Sequence, residues 1–182
     1  MKKIFVTFIA ISLLACNDSK KNGESTEMKA NTPTNMSGFT PSYSASFVMD
    51  DAKNTETVLA LWKEWNGGDL SGSRSHFADT VSFFLPDGSS MMGPADSMIK
   101  NMQNYRSSFK SLNGTVEAIF AVKSTDKNEN WVAAWGYEIK TDMQGKTDTV
   151  SLQETWRFNK NGKTDMMFQA ARKGMLPPPP AK

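Results

Sequence analysis

Glu154 stands in an alternation with Leu152, Trp156 and Phe158. Alternate residues of a strand point the same way. If that face lines a cavity, desolvation raises the pKa of the carboxyl and keeps it protonated as a hydrogen-bond donor. The competing reading puts Glu154 on the outer face, or pairs it with a neighbouring Lys or Arg. His76, the only histidine, is the second acid–base candidate. It sits beside Phe77 on a weak helix, where a simply hydrogen-bonded or partly exposed histidine is the plainer alternative. Around these two, the ligand-lining candidates are Trp62, Phe83, Met102, Tyr105, Trp135, Trp156 and Gln169. Methionine is abundant, with Met91, Met92, Met98, Met102, Met166 and Met167 in this region. Such residues suit an adaptable apolar cavity, and equally an ordinary packed core.

No cluster of histidines or acidic residues has metal-ligand spacing, so no metal is expected. No Gly-x-Ser-x-Gly, Walker loop or dinucleotide fingerprint occurs, and no cofactor is expected. Asp69, Asp79 and Asp87 read as cap and turn residues. Over Asp50–Lys173, 15 Lys and Arg stand against 16 Asp and Glu, a net charge of −1. Interspersed charges without a basic patch argue against a nucleic-acid partner.

Cys16, the single cysteine, follows an apolar run from Ile4 to Ala15, itself preceded by Lys2 and Lys3. That run is about a dozen residues, short of the ~20 needed to span a bilayer. A basic start, an apolar core and a small residue before the cut site make a secretory signal over residues 1–15. Leu13-Leu14-Ala15-Cys16 resembles a bacterial lipobox. The resemblance implies cleavage before Cys16, lipidation there, and a mature protein held on a membrane of the cell envelope (the outer membrane in a Gram-negative cell, on an undetermined side). A lipidated Cys16 leaves no free thiol for catalysis, disulfides or metal binding.

After Cys16, residues 16–47 are polar and carry Pro33 and Pro41, a tether with little to bury. Some 30 flexible residues reach ~30 Å. The domain proper spans residues 48–173. Residues 174–182 form a tail containing Pro177–Pro180, a run that favours polyproline II.

Within the domain, a first helix starts near Asp50 or Asp51. It carries Val58, Leu61, Trp62 and Trp65 on one face and ends at Asn66-Gly67-Gly68. Asp69 caps a short, weak helix over Leu70 to Phe77. Thr80–Leu85 is a strand closed by Pro86-Asp87-Gly88, with a short return over Ser89–Met92. Pro94 opens a second helix. The spacing of Met98, Met102, Tyr105, Phe109 and Leu112 predicts that it runs to Asn113-Gly114. Four strands follow, over Thr115–Lys123, Trp131–Thr141, Thr147–Asn159 and Lys163–Lys173, joined by short polar turns. This order predicts an α+β domain with helices on one face of a bent antiparallel sheet. Neither parity of the Trp131 strand is fully polar, so a second subunit could cover the face that the helices leave open.

The element order, with Trp65-Asn66-Gly67-Gly68-Asp69-Leu70, Phe77-Ala78-Asp79, Pro86-Asp87-Gly88 with Gly93, and Glu154-Thr155-Trp156-Arg157-Phe158-Asn159 with Gly162-Lys163, resembles the nuclear-transport-factor-two-like superfamily. Within it the likeness is to SnoaL-like polyketide cyclases and ketosteroid isomerases, over roughly Asp50 to Arg172. It implies a cone: a curved antiparallel sheet wrapped around helices, with an apolar cavity at the wide end and homodimers formed through the outer face. Leu61 then occupies the place of the isomerases' catalytic tyrosine, and Leu85 that of their carboxylate base. Neither moves a proton, so ketosteroid isomerase activity is not expected. Glu154 alone matches the pocket acid in kind. The resulting expectation is a membrane-anchored module that binds a small apolar ligand in the cone without catalysis. The alternatives are a lyase, isomerase or cyclase using Glu154, and a dimeric assembly module.

Overall fold

A computed structural model of the chain describes residues 38–174. The elements run β1 (Phe47–Met49), α1 (Lys53–Gly67), a 3-10 helix (Ser71–His76), β2 (Phe77–Phe84), β3 (Ser90–Pro94), α2 (Ala95–Arg106), β4 (Phe109–Ser124), β5 (Glu129–Asp142), β6 (Thr147–Phe158) and β7 (Thr164–Lys173). The strands form one open sheet in the order β1-β4-β5-β6-β7-β2-β3. The pairings are antiparallel, except that β2 runs parallel to β7.

Strand parity sorts the sheet into two faces. Val132, Ala134, Gly136 and Glu138 of β5 join Leu152, Glu154, Trp156 and Phe158 of β6 as buried residues on the concave side. Val58, Leu61 and Trp62 of α1 and Met98 of α2 complete that core. β4 and β5 shift register between Val116 and Ala118. A Cβ on Gly136, opposite that bulge, would lie 2.0 Å from the Thr115 carbonyl oxygen. Glycine therefore allows the two strands to bend together there.

The second helix is shorter than its periodicity predicts. It stops at Arg106, and Phe109 and Leu112 belong to β4. The Ser107 hydroxyl donates to the Gln103 carbonyl at 2.8 Å and the Ser108 hydroxyl to the Tyr105 carbonyl at 2.7 Å. These serines take up carbonyls at the helix end. The buried Arg106 guanidinium turns instead to α1, donating to the carbonyls of Trp65 at 2.7 Å and Asn66 at 3.1 Å. It caps one helix with the end of another.

The stretch read as a tether ends in contacts with the sheet. Ser44 Oγ lies 2.9 Å from Ser124 Oγ and donates to Asp126 at 2.6 Å. Tyr43 hydrogen-bonds Glu129, and Phe47–Met49 pair with Val122–Ser124. The other terminal expectations, including Cys16 and Pro177–Pro180, lie outside the described residues.

Candidate functional site

Two tryptophans on one face of α1 each meet a buried carboxylate on the sheet. Trp62 donates its indole N–H to Glu154 Oε2 at 2.8 Å. Trp65 donates to Glu138 Oε1 at 2.7 Å. Trp156, two residues along β6, adds a second indole donor to Glu154 Oε2 at 3.0 Å. Gln169, opposite Glu154 on β7, donates to Oε1 at 2.8 Å. Glu154 thus faces inward, as the alternation requires if its face lines the interior, but it is enclosed by three donors.

Burial pushes the Glu154 carboxyl up, and the hydrogen bonds from Gln169, Trp62 and Trp156 oppose that shift. Burial also pushes Glu138 up; Lys140 and the Trp65 indole pull it down, while Glu154 adds a repulsive push. Gln169 can present either its NH2 or its carbonyl oxygen, so it can pair with either protonation state of Glu154.

Beside this cluster lies a void of about 50 Å³, lined by Leu61, Trp62, Trp65, Leu70, Ser73, Phe77, Met102 and Trp156. It is large enough to admit water. Gly114 lets the Trp62 ring pack close against β4. A Cβ there would come 2.8 Å from Asn66 Oδ1 and 3.1 Å from the Trp62 ring. The Asn66 amide holds the Gly114 backbone from both sides, at 2.9 and 2.8 Å.

The other candidates separate. Phe83 is buried against Phe77 and Trp156, and Met102 lines the void. Tyr105 is 55 % exposed, stacked on Trp65 and edge-on to Phe109. Trp135, 40 % exposed, is on the outer face against Phe120. It cannot line the cone because its parity is opposite to that of Ala134 and Gly136. His76 Nε2 lies 3.9 Å from Glu64 Oε1, while the Ser73 hydroxyl donates to the same carboxylate. Asp69 and Asp87 accept from the backbone two residues on, at 2.9 Å each. Asp79 departs from its reading as a cap or turn residue: it lies within β2 and pairs with Arg74 at 2.6 Å.

Sequence reasoning missed Glu138 as the second tryptophan-paired carboxylate, although it shares the buried parity of Val132, Ala134 and Gly136. It also missed a larger depression on the outer face, about 510 Å³, lined by Tyr43, Phe47, Phe120, Val122, Trp131, Thr155 and Phe168. Two of these residues fall in the stretch assigned to the tether. Among the described residues, no group of His, Cys, Asp and Glu could hold a metal ion, and no helix is long and apolar enough to cross a membrane.

No family model matches the chain, and no curated protein matches it. Solved structures do. A protein of unknown function from Exiguobacterium sp. 255-15, described as nuclear-transport-factor-two-like, superposes with a TM-score of 0.55 at 13% identity, over 64% of this chain and 98% of that one. SalBIII, an epoxide hydrolase/cyclase-like enzyme with a role in pyran ring formation in the polyether salinomycin, gives 0.56 at 17%, over 70% and 95%. A protein of unknown function from Burkholderia pseudomallei K96243, also described as nuclear-transport-factor-two-like, gives 0.52 at 19%, over 64% and 88%. At these identities the likeness is one of fold. The open, curved, mainly antiparallel sheet around helices is the nuclear-transport-factor-two-like cone.

Proposed function

We propose, for a nuclear-transport-factor-two-like cone closed from within, a non-catalytic interaction module of the bacterial envelope. It is carried on a membrane by lipidated Cys16 and binds through the outer face of its sheet. The observation behind this reading is the state of Glu154. Its oxygens are taken by Trp62, Trp156 and Gln169, and the void beside it holds only about 50 Å³. Small-molecule pockets run to roughly 300–1,000 Å³, a range met by the outer depression at about 510 Å³. Proton transfer needs a second group converging on one ligand atom; His76 is oriented toward Glu64 instead.

Titrating wild type and Glu154→Gln with a panel of apolar carbonyl compounds tests the closed cone. Neither protein is expected to bind or turn them over. Saturable wild-type binding or turnover that falls tenfold or more in a folded Glu154→Gln protein would overturn the reading. Cys16→Ser should leave precursor or soluble protein; processed protein partitioning wholly into the lipid phase would remove the anchor.

A catalytic reading rests on one observation. Ser73, which lines the void, hydrogen-bonds Glu64, whose other oxygen lies near His76. Turnover abolished by Glu64→Gln and by His76→Asn, in proteins of unchanged fold, would favour it.

A further inference from the structure

The outer depression is walled by aromatic rings. Phe84 stacks on Phe168 at 4.6 Å, Phe168 on Trp131 at 6.4 Å, and Tyr43 meets Trp131 edge-on at 6.1 Å. Phe168 is 43 % exposed and Trp131 only 8 %. Among the described residues, Trp131 Nε1 is the one buried side-chain polar atom without a hydrogen-bond partner. A buried donor left unpaired costs about 1–3 kcal/mol. An occupant that brings an acceptor to the indole N–H would recover that loss. One that also brought N–H groups would have to pair them against apolar walls.

A proline run meets these conditions. Its tertiary amides offer carbonyl acceptors and carry no N–H, and polyproline II segments dock in aromatic-lined grooves. The chain has such a run at Pro177–Pro180. Its reach decides which molecule can supply it. Trp131 pairs with Arg157, and Arg157 with Met166. Trp131 is therefore eight residues back from Gly174 and two strands across, about 28 Å away by strand spacing. Residues 175–180 cover at most ~19 Å as polyproline II. The tail falls short of Trp131 on its own chain.

We infer that the outer-face groove receives the Pro177–Pro180 run of a second copy of this chain, with the Trp131 indole N–H donating to a proline carbonyl. This deepens the proposed interaction role and rests on it.

The test uses the full chain in detergent, followed by sedimentation velocity at micromolar concentration. Wild type is expected to be dimeric, and deletion of residues 175–182 to give monomer. A peptide of residues 173–182 should bind the deletion protein, read by tryptophan fluorescence. Trp131→Phe, which keeps a ring and removes the donor, should weaken that binding roughly tenfold. Phe168→Ser should abolish it. Pro178→Asp with Pro179→Asp leaves the sheet untouched and should also give monomer. A deletion protein that stays dimeric and ignores the peptide overturns the tail exchange but leaves an interaction through the sheet face itself. A wild type that is monomeric at every concentration overturns both.

Discussion

The two faces of this sheet carry similar side chains and end in different states. On the concave face, the indoles of Trp62, Trp65 and Trp156 all find carboxylate acceptors. On the convex face, Trp131 is nearly as buried and its indole finds none. Both faces are rich in aromatic residues, so hydrophobicity does not distinguish them. Polar satisfaction does. The concave side is a completed core in which buried donors and acceptors match. The convex side is an uncompleted surface, open along Phe168 and Trp135 and short of one acceptor.

Substitution of one tryptophan on each face tests that contrast most strongly. Trp62→Ala should cost about 3–5 kcal/mol in urea unfolding, because it opens a cavity and removes one of Glu154's donors. Trp135→Ala should cost about 1 kcal/mol or less. Equal losses would erase the distinction. Arg106→Ala comes next, at about 2–3 kcal/mol, since three carbonyls, including that of Phe109 at 3.4 Å, lose a buried charged donor.

The concave face should also set the pH dependence of stability. Burial raises the folded-state pKa of Glu154 and of Glu138. In the window between the ordinary carboxylate value and those raised values, the folded state holds more protons than the unfolded one. Stability should therefore fall as pH rises through that window and level off above it. Glu154→Gln should flatten the decline, measured as unfolding free energy against pH. A decline as steep as in wild type would show that Glu154 is not its source. The smallest effect is expected on the convex face. Trp131→Phe should change stability by less than about 1 kcal/mol, because the N–H it removes was unpaired. A loss of several kcal/mol would mean that the indole has a partner after all.

Much of this was legible from residue order. The stripe of Val58, Leu61, Trp62 and Trp65 marked α1, and the turns marked the hairpins, because local periodicity and glycine conformation act within a few residues. α2 was read too long because Phe109 and Leu112 continue the helical spacing by coincidence. What ended the helix was Arg106 reaching for α1's carbonyls, a partner some 40 residues away. β1 was missed because three residues carry little pattern of their own and depend on β4 to pair with.

The sequence alone determined the alternation that puts Glu154 on one strand face with Leu152, Trp156 and Phe158. It could not determine whether that face would turn inward, nor whether it would be a pocket or a plug. Tertiary structure decided this, because the outcome depends on three donors from α1, β6 and β7 converging within 3.0 Å of one carboxylate. It depends too on Gly114 letting the Trp62 ring close over the sheet. Convergence across strands and helices is a property of packing, and no spacing along the chain encodes it.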